Sequence, residues 1–175
     1  LQNRVRTLDL RLLSGNTAVH SDMLIWSKEE TPEVAALQIL NVIFSTPQIS
    51  CMLTELPSSH LRMLAFWMSF CMRHRKTLQE SKLRPEHPEH SYPVVTAESA
   101  EETITALYET DRVVRLNASH RHIVLNATHA PELLIETPHP RKCIVFNTFG
   151  EEVLRCEVSG LARVAVPASG FAEFE

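Results

Sequence analysis

From Gln2 to Leu13 apolar residues recur at helical spacing, with Val5, Leu8 and Leu12 on one side and Arg4, Arg6 and Arg11 on the others. Gly15 and Asn16 punctuate the end of this run. Thr17 to His20 reads as a short strand. The segment Pro32 to Phe44 is apolar almost all round, a pattern that predicts a helix buried on several sides. Thr31 suits its N-cap, Pro32 its first helical position and Glu33 its first turn. Gln48 to Leu53 reads as a second short strand. A long helix follows over Ser59 to Leu78, with Leu61, Leu64, Ala65, Met68, Cys71 and Met72 as its apolar stripe. Met63, Phe66, Trp67 and Phe70 on the same helix are read as core rather than as a cofactor contact. Arg73 to Lys76 place cations in its last turns, where they complement the helix dipole.

Residues 1–78 thus alternate helix and strand, the order of parallel α/β units. Two parallel strands make no stable sheet, because parallel sheets need both faces covered and several neighbours. The expected architecture is therefore a piece of a larger α/β barrel, a fold that takes about 250 residues when complete. Lys82 to His90, with its Pro-Glu-His-Pro-Glu-His doublet, reads as a stiff linker rather than a metal tract. From Tyr92 the pattern turns to strict alternation. Candidate strands are Val94–Ala97, Thr103–Tyr108, Val113–Asn117, His122–Ala127, Leu133–Glu136, Cys143–Phe146, Val153–Glu157 and Ala162–Val166. Short strands at this spacing predict an antiparallel β-sandwich. The expected division is an incomplete barrel segment over 1–84 and a sandwich over 91–175.

Composition narrows the classes. The 175 residues are 44% apolar and 22% charged, ordinary for a globular chain. A net charge of -4 argues against a nucleic-acid partner. No apolar run approaches the roughly 18 residues of a membrane span. Cys51, Cys71, Cys143 and Cys156 show no CxxC spacing, so reduced thiols, no metal, no cofactor and a cytoplasmic setting are expected. The chain opens at Leu1 without Met, as if cut from a longer protein. Homo-oligomerisation is an open possibility.

Candidate chemistry gathers in Asn16 to Trp26. A carboxylate, an imidazole and a hydroxyl at the end of a buried strand suit a polyhydroxylated substrate. Asp22, His20 and Ser21 would bind sugar hydroxyls, Asn16 would assist, and Trp26 would offer a plate for the C–H face of a ring. No complete catalytic set is visible. Asp9 sits inside a helix pattern, which leaves Asp22 alone, and glycosidic cleavage needs a carboxylate pair. Asn117-Ala-Ser119 and Asn126-Ala-Thr128 match the glycosylation acceptor pattern. His120 and His122 are placed near a hairpin rather than on a metal.

Arg4 to Trp26, Val34 to Asn41 and Phe44 to Ser50 together resemble the bacterial branch of glycoside hydrolase family 36, the α-galactosidases. Tyr92-Pro-Val-Val95 and Val166-Pro-Ala-Ser-Gly170 extend the likeness. The resemblance implies the last two βα units of a (β/α)8 barrel followed by a C-terminal β-sandwich, and an α-galactoside oligosaccharide as substrate. It implies a retaining double displacement by two Asp residues, the nucleophile within a Lys-x-Asp motif. No Lys-x-Asp occurs in these residues, so this chain is expected to carry no catalytic residue and to be inactive alone. Two alternatives stand beside it. One is a non-catalytic carbohydrate-binding or interaction module working through its β-rich half. The other is a retaining α-glycosidase of different sugar specificity.

Overall fold

The computed structural model describes residues 1–15, 17–116 and 120–175. Helix α1 spans Gln2–Leu13, and its buried face is Arg4, Thr7, Leu8 and Arg11. Of the predicted apolar side, Leu8 is buried and Val5 packs half-buried against the core, but Leu12 is exposed and two arginines take part in the buried face instead. The two arginines are buried because backbone carbonyls accept their N–H groups: Arg4 donates to Ser91 O at 3.0 Å, and Arg11 to Phe44 O at 3.1 Å. The Arg4 guanidinium also lies 4.2 Å over the Tyr108 ring, a cation–π contact.

Strand β1 (His20–Leu24) pairs in parallel with β2 (Thr46–Ile49), and α2 (Pro32–Leu40) makes the crossover. The Thr31 hydroxyl caps α2 by accepting from Val34 N. Ala35, Ala36, Ile39 and Leu40, with Ile43 just beyond, are buried, so α2 is enclosed on several sides as its composition predicts. Helix α3 (Ser58–Arg73) buries His60, Met63, Leu64, Trp67, Phe70 and Cys71, and a wide π-type turn (Lys76–Glu80) follows it. Leu61 and Met72, expected in its stripe, are exposed.

The remaining eight strands form one mixed sheet: β3 (Lys82–Glu86), β4 (Val94–Glu98), β5 (Glu102–Leu107), β6 (Val113–Arg115), β7 (Arg121–Asn126), β8 (Glu132–Phe146), β9 (Glu152–Ala165) and β10 (Phe171–Phe174). The order is β3-β4-β5-β7-β10-β8-β6, and β9 pairs along β8. β5 runs parallel to β7, and β6 parallel to β8, while the other pairs are antiparallel. The parallel pairs arise because β6 leaves the neighbourhood of β5 and joins the far end of the sheet.

This architecture corrects the expected fold. The chain is neither the closing βα units of a (β/α)8 barrel nor a two-sheet antiparallel sandwich: its eight strands β3–β10 make one curled mixed sheet, a half-barrel, with few helices and the small β1–β2 pair beside it. Among the described residues β1 and β2 pair only with each other. The segment read as a stiff linker contributes β3, which pairs with β4 over Lys82–Glu86.

Strand alternation gives the sheet two apolar faces. Val95, Ile104, Ile123 and Phe171 point to one side and share a core with Leu8, Ile39, Met63, Trp67 and Phe70. Val114, Leu133, Val145 and Phe174 fill the inside of the curl. Side-chain bonds tie the helices to the β-rich half, among them Tyr108 Oη donating to Leu40 O at 2.8 Å and Trp67 Nε1 to Thr148 Oγ1 at 3.1 Å. No helix among the described residues is long and apolar enough to cross a membrane.

Candidate functional site

β1 begins at His20 rather than ending there, so His20, Ser21 and Asp22 lie within the strand and not beyond its C-terminal end. The register opposes His20 to Thr46 and Met23 to Gln48, with an irregularity between them. Ordinary strand alternation turns His20 and Asp22 to solvent and buries Ser21, and the irregularity coincides with Met23 being exposed next to Asp22. Ser21 Oγ accepts from Gln48 N at 3.0 Å and donates to Asp22 O at 2.7 Å, locking the two strands together.

His20, Ser21, Asp22, Met23 and Gln48 line one open depression. Gln48 Nε2 lies 2.7 Å from His20 Nδ1. With the amide nitrogen donating, the imidazole proton resides on Nε2 and faces outward as a donor. Asp22 accepts from Arg6 through one carboxylate oxygen, and its backbone N–H donates to Asn3 Oδ1 at 3.2 Å. The depression therefore offers an imidazole donor, an amide, a carboxylate oxygen and the exposed Met23 side chain. That is a hydroxyl-binding inventory. It includes one carboxylate, where cleavage of a glycosidic bond needs two.

Trp26 does not join this set. It is buried, and its indole N–H donates to His60 Nδ1 at 3.1 Å, so it is no free plate for a sugar ring. Asn16 lies outside the described residues. Gln48 and Arg6 were not singled out from the sequence. A strand glutamine gives no signal by itself, and the parallel register alone brings Gln48 to His20. Asp9 is occupied by Tyr92, whose phenol donates to it at 2.5 Å. That bond, with burial, pushes the Tyr92 phenol above its ordinary range.

A second concavity, about 440 Å³, opens inside the curled sheet. Its walls include Arg84 of β3, Thr96 of β4, Thr103 and Thr105 of β5, His122 of β7 and Arg115 of β6. Thr96 Oγ1, Thr105 Oγ1 and His122 Nε2 form a hydrogen-bonded chain with steps of 3.0 and 2.8 Å. Burial, then the charges of Arg141 and His120, hold His122 down to about 4, so the ring is neutral near pH 7. Among the described residues no group of three His, Cys, Asp or Glu could hold a metal ion.

The glycosylation pattern at Asn126 is blocked by the fold. Asn126 is fully buried, its amide donating to Ala130 O, Val166 O and Pro167 O, and its carbonyl accepting from Thr128. Asn117 to Ser119 lie outside the described residues.

The sequence matches no protein-family profile and no curated protein.

Proposed function

We propose that this chain supplies sugar-contacting residues to a retaining α-galactosidase, binding a terminal α-galactosyl unit in the depression formed by His20, Asp22 and Gln48. The observation that carries the reading is the convergence of these three polar side chains, from two parallel strands, on one open surface. The residues that resemble the family-36 enzymes include the same His20-Ser21-Asp22. The nucleophile and the acid/base carboxylate lie outside these residues on this reading. The chain alone binds without hydrolysing, and double displacement requires the longer protein.

A second reading has a specific observation in its favour. The threonine and histidine row inside the curled sheet presents hydroxyls and a neutral imidazole in a concavity of the size that small ligands occupy. On that reading the chain is a non-catalytic carbohydrate-binding module.

One titration separates the readings. Methyl α-galactoside and methyl α-glucoside are titrated into the full chain and into its His20→Ala, Asp22→Asn and Thr105→Val variants. The first reading expects galactoside binding that His20→Ala and Asp22→Asn weaken and Thr105→Val leaves intact. The reverse pattern supports the second. Preference for the glucoside points to a retaining α-glycosidase of other specificity, and no binding of either sugar defeats both readings.

A further inference from the structure

Cys143 on β8 and Cys156 on β9 are direct cross-strand partners. Their hydrogen-bonding class follows from the neighbouring ladder. Lys142 and Glu175 exchange both backbone N–H···O bonds, Lys142 N to Glu175 O at 3.1 Å and Glu175 N to Lys142 O at 3.0 Å. Lys142 thus turns its N–H and C=O toward the β10 side. Successive residues of a strand turn these groups to opposite edges, so Cys143 directs its own toward β9 and Cys156. The two cysteines therefore form a hydrogen-bonded antiparallel pair.

Such partners have Cα atoms about 5.5 Å apart, inside the roughly 4.4–6.8 Å that a disulfide spans. Their Cβ atoms stand at the wide end of about 4.5–5.5 Å, whereas a disulfide holds them at about 3.5–4.5 Å. The bond can close, and closing it draws the two Cβ atoms together against the ladder. A strained bond of this kind is readily reduced. Access is unequal. Cys143 is fully buried, while Cys156 is half-buried on a strand whose other edge is unpaired among the described residues.

We propose that Cys143 and Cys156 form a reversible dithiol–disulfide site that a small-molecule disulfide such as glutathione disulfide oxidises. The Cys156 thiolate attacks one sulfur of the reagent, forms a mixed disulfide and releases one glutathione thiolate. Cys143 then loses its proton to solvent, and its sulfur attacks the Cys156 sulfur, breaking the mixed disulfide and releasing the second glutathione. Two protein thiols are oxidised, and one glutathione disulfide is reduced to two thiols. Burial, reinforced by Cys156, pushes the Cys143 thiol up to about 12, which makes the second step the slower one. Closure staples the β8–β9 ribbon near the end where the two strands turn into each other.

The folded full chain is equilibrated in glutathione buffers graded from reduced to oxidised, alkylated, and mapped by mass spectrometry without reduction. The expected result is a Cys143–Cys156 cross-link that appears as the buffer becomes oxidising and is lost when reduced glutathione is restored. Cys51 and Cys71 serve as internal comparators and remain uncross-linked. In Cys143→Ser the reaction stops at a glutathione adduct on Cys156, and in Cys156→Ser the buried Cys143 stays unmodified. The wild-type map decides the matter even where a variant fails to fold. Two free thiols in the fully oxidised buffer would overturn the proposal. So would a cross-link that persists in excess reduced glutathione, or one that joins different residues.

Discussion

His74 Nδ1 lies 2.8 Å from Glu102 Oε1, joining the end of α3 to the first residue of β5. The pair is buried, with Phe70 4.3 Å from the imidazole and the Thr77 hydroxyl donating to the same carboxylate oxygen. Burial pushes the Glu102 carboxyl up, but the hydrogen bond and charge of His74, the Thr77 hydroxyl and Arg121 outweigh it and hold the carboxyl below its ordinary value. A carboxylate so lowered stabilises the fold above its unfolded value of about 4.3, and the contribution is lost as pH falls through the lower folded value. Glu102→Gln is expected to cost about 1.5–3 kcal/mol near neutral pH, with the difference from wild type narrowing below about pH 4. Urea unfolding at a series of pH values measures it.

His122 governs a different pH window. Its folded value of about 4, below the ordinary 6.5, means that the unfolded chain takes up a proton first as pH falls. Stability from this group is complete above about pH 6.5 and declines down to about pH 4, by up to ~3 kcal/mol. His122→Gln is expected to remove that slope while leaving the one due to Glu102. The same unfolding series, fitted for both variants, distinguishes the two.

Asp22→Asn should separate binding from stability. The Asp22–Arg6 ion pair is more than half exposed, and such pairs contribute about 0–1 kcal/mol. Its melting temperature is expected to stay close to wild type, while affinity for methyl α-galactoside falls about tenfold, the effect of one charge-assisted hydrogen bond. Calorimetric melting and titration of one preparation read both quantities.

Asn126→Ala is expected to be among the most damaging single changes. It strips the side-chain donor from Ala130 O and Val166 O and the acceptor from the Thr128 amide around a fully buried side chain, while Pro167 O keeps the Gly170 N–H. At about 1–3 kcal/mol for each buried group left unsatisfied, the loss should exceed ~3 kcal/mol. Denaturant unfolding tests it, with Asn126→Asp retaining only the acceptor side.

Gly150 and Gly160 make a matched pair. Each has positive φ, but a Cβ at Gly150 would meet the Phe66 ring at 2.1 Å, whereas one at Gly160 meets nothing within 4 Å. Gly160→Ala is expected to cost only the backbone strain of about 1–2 kcal/mol. Gly150→Ala adds displacement of Phe66, which stacks on Phe171, and should cost a further ~1–3 kcal/mol. Their difference in unfolding free energy isolates the packing contribution.

Periodicity in the sequence located α1, α2 and α3 and the cores of β4, β5 and β7, because burial of one face enforces each period. It did not locate strand neighbours. An alternating segment records that one side is covered but not by what, so the parallel β5–β7 and β6–β8 pairs were invisible. Leu133–Glu136 and Cys143–Phe146 were separate candidate strands, yet β8 runs unbroken through Pro138 and Pro140 between them, since the β8–β9 register shifts between Thr137 and Arg141 and leaves room for residues without an N–H. β10 was missed because four residues after Gly170 are too few to show alternation. At the candidate site His20, Ser21 and Asp22 were legible as a polar cluster. Gln48 was not, because its place beside His20 is a property of the pairing. Trp26 was read as accessible, but it is buried, and the acceptor of its indole N–H, His60, lies on α3, thirty-four residues away in sequence.

β9 runs fourteen residues with one edge paired to β8 and the other open among the described residues. An open edge of that length is a template on which a foreign strand could grow and seed aggregates. Here the template is spoiled by Glu152, Arg155, Glu157 and Arg163 along it and by the kink at Gly160. Solubility in this half of the molecule thus depends on a few charged side chains and one backbone reversal, so neutralising the charges should bring on clumping before it brings on unfolding.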